Sequence, residues 1–173
     1  ACDTIIGEKC KIFHSSSVGE LPQDLKYDGE KTFTKIGNNT IIREFVTINK
    51  GTKELGKTVV GSNVLLMAST HVAHDCLVED NVIMSNLATL GGHVKIGKWA
   101  ILGGGVLVHQ FTKVGEHSLI GGGFRAVQDV PPFIVAANHP LTYKGVNLVG
   151  LKRRGISKLD RSLIKDAYKI FFR

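Results

Sequence analysis

From Val60 onward every sixth residue is apolar: Val60, Leu66, Val72, Val78, Met84, Leu90, Ile96, Leu102, Val108, Val114, Ile120 and Ala126. Two residues before each lies a second small or apolar set, running from Thr58 and Val64 through Cys76, Ala88 and Val106 to Ser118 and Phe124. The residue that follows is repeatedly glycine, as at Gly61, Gly91, Gly97, Gly103, Gly115 and Gly121. A period of six suits no helix, because the apolar residues would wander round the axis. It suits short strands separated by turns, with positions i−2 and i both turned inward. Repetition at a short fixed period predicts a solenoid, and hexads predict a β-helix. Three hexads close a triangular coil of about 18 residues, and coils stack at roughly 4.8 Å.

The same phase already runs through Ile6-Gly7, Ile12 and Val18-Gly19. It breaks at residues 20–35, a polar stretch with Pro22 and Gly29 that predicts a projecting loop. A loop of this length in a packed domain is commonly functional. The hexads resume at Ile36, Ile42 and Ile48, break again over 51–57, and then run without interruption to Val130. Pro131-Pro132 is expected to end the solenoid, since proline cannot donate to a central ladder. The predicted organisation is thus a β-helix over 1–132, an irregular connection over 133–155 and the start of a helical region over 156–173. Ser157 reads as an N-cap, followed at helical spacing by Leu159, Leu163, Ile164, Ala167, Ile170 and Phe171. That stripe needs a partner surface. A solenoid end calls for a polar cap, and none precedes Ile6. The chain is therefore expected to be part of a longer natural protein, or to lack its cap.

The chain has 173 residues, of which 43% are hydrophobic and 20 are glycine. That is one domain with a core, its glycines explained by turns. The formal charge of +7 admits nucleic acid, anionic lipid or an acidic protein as partner. No nucleic-acid motif is present, and the aromatics do not interleave with the basic residues as base stacking requires. Cys2, Cys10 and Cys76 are odd in number and lack CxxC spacing, which argues against a disulfide framework and for a reducing compartment. There is no run long enough for a membrane span and no signal peptide, so a cytoplasmic location is expected.

Candidate chemistry lies in the histidines. Stepping by one coil from His74 reaches Gly92, then Gln110, then Gln128; His93 and His109 lie one residue to either side of this column. His71 is on the approach to it, and His117, off the column, is given a surface role. Three readings compete. The residues are solvated turns; or they hold zinc, as three histidines do in γ-class carbonic anhydrases; or an imidazole is a general base. On the last reading Asp75 fixes the tautomer of His74, and the Gly92 N–H meets a developing oxyanion.

Several segments carry a resemblance. They are His71-Val72-Ala73-His74-Asp75-Cys76, Gly91-Gly92-His93, Val108-His109-Gln110-Phe111, Gln128-Asp129-Val130-Pro131-Pro132 and Gly150-Leu151-Lys152-Arg153-Arg154-Gly155. With Gln23-Asp24-Leu25-Lys26-Tyr27 and Ile42-Arg43-Glu44 they resemble the UDP-N-acetylglucosamine acyltransferases of lipid A biosynthesis. The resemblance implies a left-handed parallel β-helix, a homotrimer with sites between subunits, and transfer of a 3-hydroxyacyl chain from acyl carrier protein to the 3-hydroxyl of UDP-N-acetylglucosamine. It implies His74 as base, Asp75 as its orienting partner and Gly92 as oxyanion donor. It places His71, His93, His109 and Gln110 along the substrate cleft, Asp24 and Lys26 at the sugar, and Asn147, Arg153 and Arg154 at the uridine and diphosphate. It puts the acyl-length ruler at Gly122, where a glycine suggests a longer chain, and requires no cofactor and no metal. It also gives the basic residues Lys158, Arg161, Lys165, Lys169 and Arg173 an acidic partner in the carrier protein. Residues 137–141 depart from the family's usual Gly-Asn-x-Ala run, and Val149 stands where a glutamate can occur. A zinc enzyme of the carbonic anhydrase type, a non-catalytic sugar-nucleotide-binding β-helix, and the N-acylating relative with the same fold remain as alternatives.

Overall fold

The computed structural model describes the backbone of residues 3–171 and the side chains of residues 3–170. Cys2, Arg173 and the side chain of Phe171, named above, lie outside the described residues. The chain winds as a three-sided coil, each side a parallel sheet. The first sheet holds Thr4–Ile6, Phe33–Ile36, Lys57–Val60, Leu77–Val78, Lys95–Ile96 and Lys113–Val114. The second holds Lys11–Ile12, Ile41–Ile42, Leu65–Leu66, Ile83–Met84, Ile101–Leu102 and Leu119–Ile120. The third holds Ser17–Glu20, Thr47–Asn49, His71–Val72, Thr89–Leu90, Leu107–Val108 and Arg125–Ala126. Leu77 pairs with Lys95 and Lys95 with Lys113, which is the coil length that the hexads predict. All twelve residues of the apolar column from Val60 to Ala126 are buried. The second inward set is buried too, apart from the half-buried Phe124.

From Val60 to Ile120 each corner turns on one residue in the left-handed region, three places after the apolar one. It is Asn63, Asp75, Asn81, His93 or His117 at some corners, and bulky Leu87, Trp99 or Phe111 at others, with φ between 55° and 66°. A side chain there costs about 1–2 kcal/mol. The coil beneath holds the turn in place: His93 N–H donates to His74 O at 3.1 Å, Trp99 to Asp80 O at 3.1 Å, and Phe111 to Gly92 O at 3.0 Å. The glycines after the apolar position have another cause. A Cβ on Gly97 would stand 2.6 Å from the Glu116 nitrogen in the next coil, so the stacked backbones exclude it.

Both breaks in the repeat project from one corner, the one leading from the third sheet to the first. Strands extend further into them than expected, so the loops span 21–32 and 50–56. Their lengths preserve the phase. Thr4 pairs with Thr34 and Thr47 with His71, steps longer than a coil by two hexads and by one.

Beyond Val130 the structure corrects two expectations. The solenoid does not end at Pro131-Pro132; Ile134–Ala137 adds another strand to the second sheet against Leu119–Ile120, and Thr142–Val146 returns antiparallel to it. The prolines stand in a corner, where no ladder N–H is asked of them. The region 133–155 is therefore mostly regular, its hairpin followed by helix α1 (Leu148–Arg153). Helix α2 (Lys158–Phe171) starts as expected, Ser157 Oγ accepting the Asp160 N–H at 3.0 Å. It docks through Tyr168, stacked on Tyr143 and donating to Pro132 O at 2.6 Å, whereas Leu159, Leu163 and Ile170 remain exposed.

Candidate active site

The corner from the third sheet to the first gathers five segments of chain: the loops 21–32 and 50–56, and the turns around His74, His93 and Gln110. Between them lies a cleft of about 360 Å³, lined by Gln23, Asp24, Lys26, Glu54, His74, His93, Gln110 and Phe111. The larger loop is held in place by the smaller one. Glu30 accepts the Lys53 N–H at 2.9 Å, Asn49 donates to Leu21 O at 3.0 Å, and Lys50 lies over the Tyr27 ring at 5.5 Å. Asp24 closes a turn by accepting the Lys26 N–H at 3.0 Å.

Asp75 is the electrostatic centre. Its carboxylate is fully buried, and three donors satisfy it: the Thr52 N–H at 3.0 Å, the Thr52 hydroxyl at 2.6 Å and His74 Nδ1 at 2.9 Å. An ionised carboxylate only accepts, so the His74 proton is on Nδ1 and the lone pair on Nε2. The turn is fixed a second time by the Asp75 N–H, which donates to Thr58 Oγ1 at 2.8 Å. Above the ring sits Gly92, where a Cβ would meet His74 Cε1 at 2.5 Å and Nε2 at 2.6 Å. At neighbouring corners the corresponding N–H is taken by a side chain, as Ser62 N–H by Asp80 at 2.7 Å and Lys98 N–H by Glu79 at 3.0 Å. The Gly92 N–H has no acceptor among the described residues. His93 stands edge-on to His74 with centroids 5.2 Å apart, stacks on Phe111 at 4.6 Å, and reaches Glu54 at 3.4 Å.

The structure thus brings together His74, Asp75, Gly92, His93, Gln110, Asp24 and Lys26. It does not bring in the rest. His71 is on the outer face of the third sheet, bonded to Thr47 Oγ1 at 2.7 Å; burial and the nearby His74 hold its pKa below the usual 6.5. His109 is exposed, with Nδ1 3.2 Å from Gln110 O. Asn147 is 4% exposed and committed internally, accepting the Gly150 N–H and donating to His117 O at 2.9 Å. Arg153, Arg154 and Asn147 belong to the corner between the first and second sheets, and Gly122 to the third corner. His117 does not have the surface role expected of it: it is half-buried, between Trp99 and Phe133. Sequence reasoning missed Thr52, Thr58, Glu54 and the ring of Phe111. The signal for the loop residues was available, since both breaks follow a third-sheet hexad.

The zinc alternative asked for three converging imidazoles. Among the described residues one group brings ligand atoms within 4.8 Å of one another, and it is His74, Asp75 and His93. His71 and His109 are turned to other partners.

Residues 129–173 match the family model described as UDP-N-acetylglucosamine O-acyltransferase, domain 2. An acyl-[acyl-carrier-protein]–UDP-N-acetylglucosamine O-acyltransferase of Thiobacillus denitrificans is 50% identical over 164 residues, 94% of this chain. The chain spans 64% of that protein's length. The solved UDP-N-acetylglucosamine acyltransferase of Bacteroides fragilis superposes with a TM-score of 0.97 at 44% identity, covering 98% of this chain and 67% of that one. The enzyme of Campylobacter jejuni superposes with a TM-score of 0.91 at 37% identity, covering 100% of this chain and 75% of that one. The chain belongs to the UDP-N-acetylglucosamine acyltransferase family. Its coil is the left-handed β-helix of these hexapeptide-repeat acyltransferases. No helix among the described residues is long and apolar enough to cross a membrane.

Proposed function

We propose that this chain carries the acyl-transfer site of an acyl-[acyl-carrier-protein]–UDP-N-acetylglucosamine O-acyltransferase, the first step of lipid A biosynthesis. One observation carries the reading. A buried carboxylate fixes Nδ1 of His74, and the bare Cα of Gly92, whose own N–H has no acceptor among the described residues, packs so close to the ring that a Cβ there would stand 2.6 Å from Nε2. Nε2 of His74 takes the proton of the glucosamine 3-hydroxyl as its oxygen attacks the thioester carbonyl of the acyl carrier. The C–O bond forms, and the oxyanion is received by the Gly92 N–H. Collapse breaks the C–S bond, and the imidazolium returns its proton to the departing thiolate. Asp75 stabilises the imidazolium in between, and no step draws on a cofactor. Asp24 and Lys26 face the same cleft and hold the sugar.

The remaining expected contacts come from a second subunit. Arg153 and Arg154 stand one sheet away from His74, and Gly122 stands at the third corner. A cyclic homotrimer that sets one chain's corner beside another's brings them together. The outer column of the second sheet supports such an assembly: Ile41, Leu65, Ile83, Ile101, Leu119 and Val135 are all apolar and partly exposed, a face that favours a cover. The basic residues of α2 suit an acidic carrier protein, and both substrates place the reaction in the cytoplasm. At Gly122 the lack of a side chain suits a long acyl chain.

The test is mass-spectrometric detection of acyl-UDP-N-acetylglucosamine, using carrier proteins loaded with 3-hydroxyacyl chains of several lengths and both 3-hydroxyl and 3-amino acceptors. Full transfer by the His74→Ala protein would sink the assignment. Mixing inactive His74→Ala and Arg154→Ala chains tests the shared site, because only an intersubunit site regains activity.

A further inference from the structure

The corner between the first and second sheets has a column of its own. Trp99, His117 and Phe133 stack, with successive centroids 6.2 and 5.7 Å apart and planes tilted by 16° and 26°. Arg154, just past α1, lays its guanidinium over Trp99, Cζ lying 5.3 Å from the ring centre. Its Nη1 donates to His117 Nδ1 at 3.2 Å. The Asn147 amide, at the other end of α1, donates to the His117 carbonyl. Both ends of that helix are therefore fastened to one residue. Among the described residues no carboxylate lies within ion-pair distance of Arg154.

An unpaired, partly desolvated guanidinium with a fixed plane is an anion receptor. It has five N–H donors, and one of them is used. The rest form the fork that matches phosphate oxygens. What fixes the plane is an aromatic face on one side and a neutral nitrogen acceptor at one edge. We propose that His117 is a positioning residue for substrate binding: its Nδ1 lone pair, with the Trp99 face, holds Arg154 in the orientation that receives the diphosphate of the sugar nucleotide. This rests on the function proposed above and extends it to residues that need not touch the substrate. The tautomer agrees. Burial, and then the charge of Arg154, hold the His117 pKa below its usual value, so the ring is neutral at neutral pH and Nδ1 is free to accept.

Two substitutions separate the acceptor from the ring. Phenylalanine keeps the ring and loses the acceptor; asparagine loses the ring and keeps an acceptor at the Nδ1 position. Both fit the left-handed corner, since Phe111 and Phe133 adopt φ of 66° and 63° in this chain, and Asn63 and Asn81 adopt 56° and 61°. Uridine diphosphate is titrated calorimetrically into the wild type and both variants, and steady-state transfer is measured beside it. The His117→Phe protein binds uridine diphosphate about tenfold more weakly and shows the same rise in KM for the sugar nucleotide, with kcat and the KM for acyl carrier unchanged. The His117→Asn protein stays within about threefold of wild type. Wild-type affinity in His117→Phe overturns the proposal, as does an equal loss in both variants or a wild type that does not bind uridine diphosphate. Binding does not require transfer. Absent transfer with the expected binding pattern would therefore overturn the proposed reaction and leave the nucleotide receptor standing.

Discussion

Replacing Gly92 by alanine is the sharpest probe of the candidate site. The added methyl carbon would lie 2.5 Å from Cε1 and 2.6 Å from Nε2 of His74. Ordinary carbon contacts are about 3.5–4.0 Å, so the ring must retreat by about 1 Å. A retreat of that size stretches the 2.9 Å bond from Nδ1 to Asp75 beyond hydrogen-bonding range. A misplacement of this order costs about 10²-fold in rate, or ~2.7 kcal/mol of barrier. The backbone has no objection, because Gly92 is not in the left-handed region. The nearest obstacle is a side chain that can swing. Stability should therefore change little, with Tm within about 2 °C. Its neighbour is the control. A Cβ on Gly91 would stand 2.8 Å from the backbone nitrogen of Gln110, so Gly91→Ala strains the stacked coils and lowers Tm. Initial-rate acyl transfer with both substrates varied, beside thermal melts of the two variants, is the assay. A Gly92→Ala enzyme with kcat within about threefold of wild type would refute the argument. It would mean that the ring is not where the chemistry needs it, or is not the base.

Other outcomes follow from the same contacts. Thr52→Val removes the 2.6 Å bond to the buried Asp75 carboxylate; urea unfolding should show a loss of about 1.5–3 kcal/mol, with a fall in kcat, and unchanged stability would show that Asp75 does not depend on this donor. His71 and His117 both have pKa values lowered from 6.5 by burial, so the unfolded chain protonates first as pH falls. Stability is then full at pH 7.5 and declines as pH drops through about 6.5 towards the lowered values; melts at pH 7.5 and about 5.5 check this, and a His71→Gln chain should show a smaller decline. Cys76 is 1% exposed, its thiol pushed up to about 12 by burial and bonded to Gly91 O at 3.1 Å; a thiol-alkylating reagent followed by peptide mapping should leave it unmodified in the folded protein while the partly exposed Cys10 reacts, and equal labelling would contradict the packing.

The scaffold was legible because its signal is redundant. Every coil repeats the same inward pair, so one glance at Leu66, Met84 and Leu102 already fixes a sheet. The left-handed corners were less legible, since the residue types there are as different as Asp75, Leu87 and Trp99. Hydrogen bonds from the coil below, rather than local propensity, hold them. The region after Val130 was misread for a related reason. Proline forbids a ladder position, but Pro131 and Pro132 occupy a corner, and the Val130 N–H still bonds to Lys113 O at 2.8 Å. The penalty attached to proline depends on which side of the hexad it falls, and the sequence pattern alone did not separate corner from strand at that point.

The site was legible only in part, and the missing part follows from geometry. A histidine column can be counted out at one coil per step, and that count found His74, Gly92 and Gln110. It could not find Thr52, because the inserted hexad before Lys57 shifts the count, so that Thr47, not residue 53, faces His71. Counting whole hexads instead of residues removes the difficulty. Val18 and Ile48 each close a third-sheet hexad, so both loops must leave the corner where His74 lies. The same reasoning explains His117. It lies off the histidine column, yet a three-sided coil has three columns, and Trp99, His117 and Phe133 make up a second one. On such a prism, side chains a whole coil apart become neighbours, whereas those a single hexad apart are held at separate corners. Residues expected in one site but found at different corners of one chain, as His74, Arg154 and Gly122 are, can meet only where another chain's corner is set beside the first.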